Sequence, residues 1–126
     1  MSPVLVDTSV WIEALRRQGN AEIREHVRSL LLEGQACWNE LILAESWNGA
    51  QGNAEKKMIR ELETDIPLLS ITSAVWQQTC KLAEKARDQG KTVPTTDIII
   101  FACCKYHKVE LFHNDQHFDL LMQLTL

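Results

Sequence analysis

Four acidic residues stand where strands end or helices begin, far apart along the chain. Asp7 closes the apolar run in VLVDTSVWI, and Glu45 lies in LILAESWNG. Asp97 lies in VPTTDIIIFACC, and Asp115 in VELFHNDQHFD. Brought to one cleft, these carboxylates could not all stay ionised without help. Two like charges about 4 Å apart repel by about 4 kcal/mol at an effective dielectric of about 20. A cluster of four either takes up protons or recruits a cation. Oxygen ligation selects Mg2+ or Mn2+ over zinc. Such an ion binds phosphate oxygens and acidifies water, so the pattern points to a metal-dependent phosphodiesterase.

Each acid also has a plainer reading. Asp7 and Asp97 suit helix starts, where the dipole favours an acid by about 0.3–1 kcal/mol. Asp115 suits a turn, and Glu45 suits the polar side of an amphipathic helix. Glu45 resists this most, because Leu41, Ile42, Leu43, Ala44 and Trp47 leave its helix little polar surface. Thr8 and Ser9 can orient Asp7, bond phosphate or simply start a helix. His113 and His117 offer a metal-free route, with paired imidazoles as general acid and base on RNA. They could also draw a softer transition metal. Trp11, Trp38, Trp47 and Trp76 read first as core or interface residues. Trp11 and Trp47, flanking two of the acids, are the candidates for stacking on bases.

The elements that must position these residues follow from periodicity. A strand at 4–6 leads into a short helix over 8–16. Asn20 caps a helix carrying Ile23, Val27, Leu30 and Leu31 at helical spacing, which stops near Gly34. Ala36–Trp38 reads as a strand and 40–48 as a helix, punctuated by Gly49 and Gly52. A polar helix over 54–63 precedes a short apolar segment, Leu68–Ile71. Ser73 begins a long helix ending near Gly90, and Thr95 or Thr96 caps a helix from Asp97 to His107. Val109–Phe112 reads as a strand, a short helix follows Phe118, and 123–126 is either an edge strand or a tail. The alternation predicts an α/β layer fold with a mainly parallel sheet flanked by helices. In such a sheet the strand ends and helix starts open on one edge, which would gather the acids.

Composition narrows the class. With 126 residues, 45% apolar and 24% charged, the chain fits one globular domain spanning 1–126. The run from Ile98 to Cys104 is too short to span a bilayer, and no basic region leads an apolar block at the start. A cytoplasmic protein is expected. Net charge −4 argues against a simple polyanion binder. The basic pairs and clusters, from Arg16 and Arg17 to Lys91, stand mostly at helical spacing beside Glu and read as solvated faces. Cys37, Cys80, Cys103 and Cys104 show no zinc or C-x-x-C spacing and read as core residues.

VLVDTSVWI, AESWNG, PTTDIIIFA and FHNDQHFD, in this order and spacing, resemble the PIN-domain nucleases. The DTSVWI start and short length resemble the VapC toxins of bacterial toxin–antitoxin pairs. The resemblance runs from residue 4 to about 120. It implies a PIN-like three-layer sandwich and a Mg2+- or Mn2+-dependent endoribonuclease. It further implies a homodimer, an RNA substrate and a cognate VapB-type antitoxin that holds the toxin inactive. Carried over by position, Asp7 and Asp97 would be the principal metal ligands. Glu45 would complete the cluster directly or through water. Asp115 would bind a second metal or orient the nucleophile, and water attack would leave a 5′-phosphate and a 3′-hydroxyl. The chain departs from the pattern at two places. His113 stands where a hydroxyl residue is common, and His117 where a further acid often precedes the Phe, with Asp119 displaced beyond Phe118.

Two other acid-bearing folds fit worse. A receiver domain shows adjacent acids after its first strand, and a dehalogenase-like phosphatase shows Asp-x-Asp, where this chain has Ser9. From another class, a PIN-like module without catalysis that only engages a protein partner remains the alternative.

Overall fold

Val4–Val6 forms β1, and its three residues are all buried, as a central parallel strand requires. The computed structural model describes residues 2–16 and 18–124. Beyond β1 the elements are α1 (Thr8–Leu15), α2 (Ala21–Leu32), β2 (Ala36–Cys37), α3 (Glu40–Asn48) and α4 (Gly52–Asp65). They continue with α5 (Ser73–Asp88), α6 (Thr95–His107), β3 (Glu110–Phe112) and α7 (Gln116–Met122). The sheet order is β2-β1-β3, and every strand pairing among the described residues is parallel. Val4, Leu5 and Val6 face Glu110, Leu111 and Phe112, while Val4 and Leu5 face Ala36 and Cys37. A parallel bridge between Trp38 and Leu68 extends the β2 side.

Chain direction explains the layers. The path steps from β1 to β2 and on to Leu68, then returns past β1 to β3. Right-handed connections therefore place α1–α4 on one face and α5–α6 on the other. Most contacts follow this division: α1 packs on α2 and α3, α3 on α4, and α6 on α5 and α7, while α3 also touches α6 where the two layers meet. The order reverses between β1 and β3, and in open α/β sheets that crevice is where ligands bind.

Local chemistry sets the ends of the elements. Gly34 adopts φ 68° after α2, the left-handed region that glycine enters without a Cβ clash. Its N–H bonds Leu31 and that of Gln35 bonds Leu30, which turns the chain directly into β2. Helix α6 is buried continuously from Ile98 to Cys104, as expected of a helix apolar on all sides. Trp11 and Trp38 are buried with ring centroids 5.6 Å apart.

Several sequence expectations are corrected. Neither Thr95 nor Thr96 caps α6; Pro94 holds the N-cap position at φ −57°, so the helix begins at Thr95 and Asp97 falls in its first turn. Helix α7 begins at Gln116, ahead of Phe118, because the Asp115 carboxylate caps it through the His117 N–H. Helix α4 begins at Gly52, ahead of residue 54, with Glu55 reaching back to the Gln51 N–H. Cys80 is exposed, so core packing holds only for Cys37, Cys103 and Cys104. Trp76, read as a core or interface residue, is half exposed and so stands outside the core. At the chain end Gln123 caps α7 and Leu124 is buried, forming no strand; residues 125 and 126, like Arg17, lie outside the described residues.

Candidate active site

The four acids arrive on four different elements at the carboxyl edge of the sheet. Asp7 directly follows β1, and its N–H bonds the Phe112 carbonyl at 3.0 Å, tying it to the end of β3. It caps α1 and is only 3% exposed. One oxygen, Oδ2, accepts from the Ser9 N–H at 3.0 Å and the Ser9 hydroxyl at 2.6 Å. Ser9 Oγ in turn accepts from the Asn114 N–H at 2.9 Å, which links the start of α1 to the loop before α7. Of the readings open to Ser9, orienting Asp7 is what the geometry displays.

Glu45 is held from across the cleft. The Thr8 hydroxyl donates to Glu45 Oε1 at 2.7 Å, joining α1 to α3. Asn39, wholly buried, caps α3 by accepting from the Ile42 N–H at 2.9 Å. Asn39 thereby sets the helix that carries Glu45. Its sequence signal is slight: an Asn one residue ahead of an apolar helix.

Asp97 and Asp115 meet at His117. The imidazole Nδ1 lies 3.1 Å from Asp97 Oδ2 and 3.0 Å from Asp115 Oδ1. Ligand atoms of these three residues all fall within 4.8 Å of one another. Nδ1 is buried without a hydrogen-bond partner, so an N–H there would point at neither oxygen. His113 sits aside. Its Nδ1 accepts from the Asp115 N–H at 3.3 Å, its ring packs at a 46° tilt against Phe118, and Nε2 lies 3.8 Å from Asp119. Asp119 is exposed and stands outside the group. The two histidines thus meet Asp115 at different atoms, His113 at its N–H and His117 at its carboxylate.

Electrostatics tie the acids together. Burial pushes the Asp7 carboxyl up, opposed by the Ser9 bonds and aided by Asp115. Burial likewise raises Glu45, against the Thr8 bond and with the Asp7 charge. Asp97 rises to about 6 through burial, then through Asp115 and Asp7, with His117 pulling the other way and Glu45 adding a little. Each acid therefore feels others of the set, as carboxylates at a shared cation site must. The orphaned Nδ1 among converging carboxylate oxygens fits a bound divalent cation, which would give the nitrogen a partner and neutralise the acids around it.

Beside the acids runs a cavity of about 400 Å³, bounded by Glu45 and Ser46 on α3 and by Trp11 and Arg16 on or next to α1. Trp47 does not offer a free ring: its indole N–H donates to Glu63 and Arg60 lies over its face. No helix among the described residues is long and apolar enough to cross a membrane.

A parallel α/β sheet with acids gathered at its strand-order reversal defines the class of protein. A family model of the PIN domain matches residues 4–121, and the chain belongs to the PIN-domain family. Within that family it is similar to VapC ribonuclease Mb1587 of Mycobacterium bovis and to Ribonuclease VapC11 of Mycobacterium tuberculosis. Each is 30% identical over 97% of this chain and 93% of the relative. Among solved structures it is similar to FitAcB from Neisseria gonorrhoeae, at a TM-score of 0.78 and 25% identity, covering 94% of this chain and 93% of that one.

Proposed function

We propose that this chain is a Mg2+- or Mn2+-dependent endoribonuclease, the toxin of a bacterial toxin–antitoxin pair. The observation that carries the reading is the convergence of Asp97, Asp115 and His117 ligand atoms within 4.8 Å, with Asp7 and Glu45 in electrostatic reach. Likeness over nearly the whole chain to two VapC ribonucleases makes RNA the substrate in this reading. A VapB-type antitoxin is then the natural partner, with a homodimer of one-domain subunits in the cytoplasm as the working form.

Asp7, Asp97 and Asp115 would hold the cation, with Glu45 completing the charge directly or through water. When bound, such an ion neutralises a phosphate oxygen and acidifies water. The remaining work falls to the chain's own groups. Ser9 fixes Asp7 Oδ2, so this carboxylate needs no reorganisation when substrate arrives. Thr8 occupies Glu45 Oε1, leaving Oε2 to accept the proton of the attacking water. Burial raises the basicity of Glu45 for that task. Attack at phosphorus expels the ribose 3′-oxygen, which takes up a proton from solvent water and leaves a 3′-hydroxyl and a 5′-phosphate.

The test is cleavage of mixed-sequence RNA by the purified chain in Mn2+. Wild type should release 5′-phosphorylated fragments, EDTA should stop it, and Asp7→Asn should slow it by roughly 100-fold or more, about 2.7 kcal/mol in the barrier. If wild type and Asp7→Asn are equally inert on varied RNAs, a non-catalytic binding module replaces this reading. Activity that survives EDTA would return His113 and His117 to consideration.

A further inference from the structure

We infer that His117 is itself a ligand, donating Nδ1 to the cation held by Asp97 and Asp115, and that this mixed nitrogen–oxygen set selects Mn2+ over Mg2+. The inference rests on the cation reading above and goes beyond it by naming the ligand and the metal preference.

Three observations carry it independently of the acids alone. First, Nδ1 lies 3.1 and 3.0 Å from oxygens of two carboxylates on different elements, so it occupies a corner of the group rather than its rim. Second, Nδ1 is buried with no hydrogen-bond partner. A buried polar atom left unpaired keeps its full desolvation penalty unless something fills the gap. An imidazolium held simply as counter-ion would turn its N–H toward an oxygen, and this ring does not. Third, the position is fixed from behind. Asp115 accepts the His117 N–H at 2.9 Å, and Phe118, the next residue, is fully buried. The backbone that carries the ring is therefore anchored beside the cluster.

The consequence for metal choice is chemical. A neutral imidazole with its proton on Nε2 presents Nδ1 as a lone-pair donor. Mg2+ is hard and takes oxygen and water almost exclusively, whereas Mn2+, which also favours carboxylates, belongs to the transition series whose members take imidazole more readily. Mn2+ accepts both donor types, so it tolerates two carboxylates and one nitrogen where Mg2+ loses a ligand.

Pulsed electron paramagnetic resonance of the wild-type chain loaded with Mn2+ reads the bond directly. Nitrogen hyperfine modulation is expected, absent in His117→Asp and retained in His113→Ala. His117→Asp restores an all-oxygen set and places an acid in the first turn of α7, where the dipole favours it. In calorimetry that variant should lower the Mn2+-to-Mg2+ affinity ratio on the order of tenfold. Bound Mn2+ without nitrogen modulation, or an unchanged ratio, overturns the inference while the acidic cation site stands. Wild type that takes up no Mn2+, or takes it up equally well as Asp97→Asn, overturns the cation reading and this inference with it. The wild-type spectrum needs no variant, so a misfolded substitution would not shield the idea.

Discussion

Asp97 carries an electrostatic cost that a cation would remove. Burial and the neighbouring acids raise its carboxyl from 3.8 to about 6, so the folded chain holds its proton more tightly than the unfolded one. The stabilisation linked to that proton is complete below 3.8 and is lost as pH rises to about 6. At pH 7.5 in chelator the ionised Asp97 therefore weakens the fold. Asp97→Asn, a neutral isostere, should raise Tm there by about 4 °C, on the order of 1 kcal/mol for a chain of this size. The gain should fade toward pH 4. The same variant should lose RNA cleavage and most Mn2+ uptake, so stability and function move in opposite directions. Wild-type Mn2+ affinity should in turn fall as pH drops through about 6, when protons compete for the carboxylate; a flat titration by calorimetry would contradict this.

At the scale of elements, the ends of helices place the site, and one end carries strain. Lys108 closes α6 at φ 57° and ψ 47°, a left-handed conformation that costs a side-chain-bearing residue roughly 1–2 kcal/mol. Its hydrogen bonds match those at Gly34: Lys108 N–H reaches Lys105, and Val109 N–H reaches Cys104 at 3.1 Å. This turn launches β3 and so sets where Asp115 falls. Lys108→Gly should stabilise the chain by about 0.5–1 kcal/mol in urea unfolding, after allowing for glycine's looser unfolded state. Cleavage should stay unchanged, since the turn keeps its geometry. Destabilisation would show that Lys108 contributes contacts worth more than the strain.

Across the whole molecule, the site is a meeting of helices from both faces of one sheet. Asp7 belongs to β1 and α1, Glu45 to α3, Asp97 to α6 and Asp115 to the junction of β3 and α7. A cation bridging them would link the layers on the two faces, and would bind only when all are in place. Mn2+ at 100 times its dissociation constant should therefore stabilise the fold by about 2.7 kcal/mol. Thermal unfolding with and without the ion measures this, and the shift should vanish in Asp97→Asn.

Much of this is legible in the sequence. The buried run at 4–6, the helical spacing of Ile23, Val27, Leu30 and Leu31, and the glycine stop at Gly34 follow from local rules of burial and backbone freedom. The four acids were legible as candidates because each sits at a strand end, in an apolar helix or at a helix start. Three features were not. The start of α7 depends on which Asp115 oxygen finds an N–H, and the start of α6 on Pro94 rather than on a threonine cap. Cys80 and Trp76 share their composition with core residues, and only the packing of α5 on α6 decides which way they face. Above all, the sequence determined that acids and histidines exist near one another in type and order. The tertiary fold alone decided that His117 turns in toward Asp97 and Asp115 while His113 lies aside on Phe118. Which nitrogen meets which oxygen depends on strand register and helix phase summed over distant segments, and local spacing carries no record of that sum.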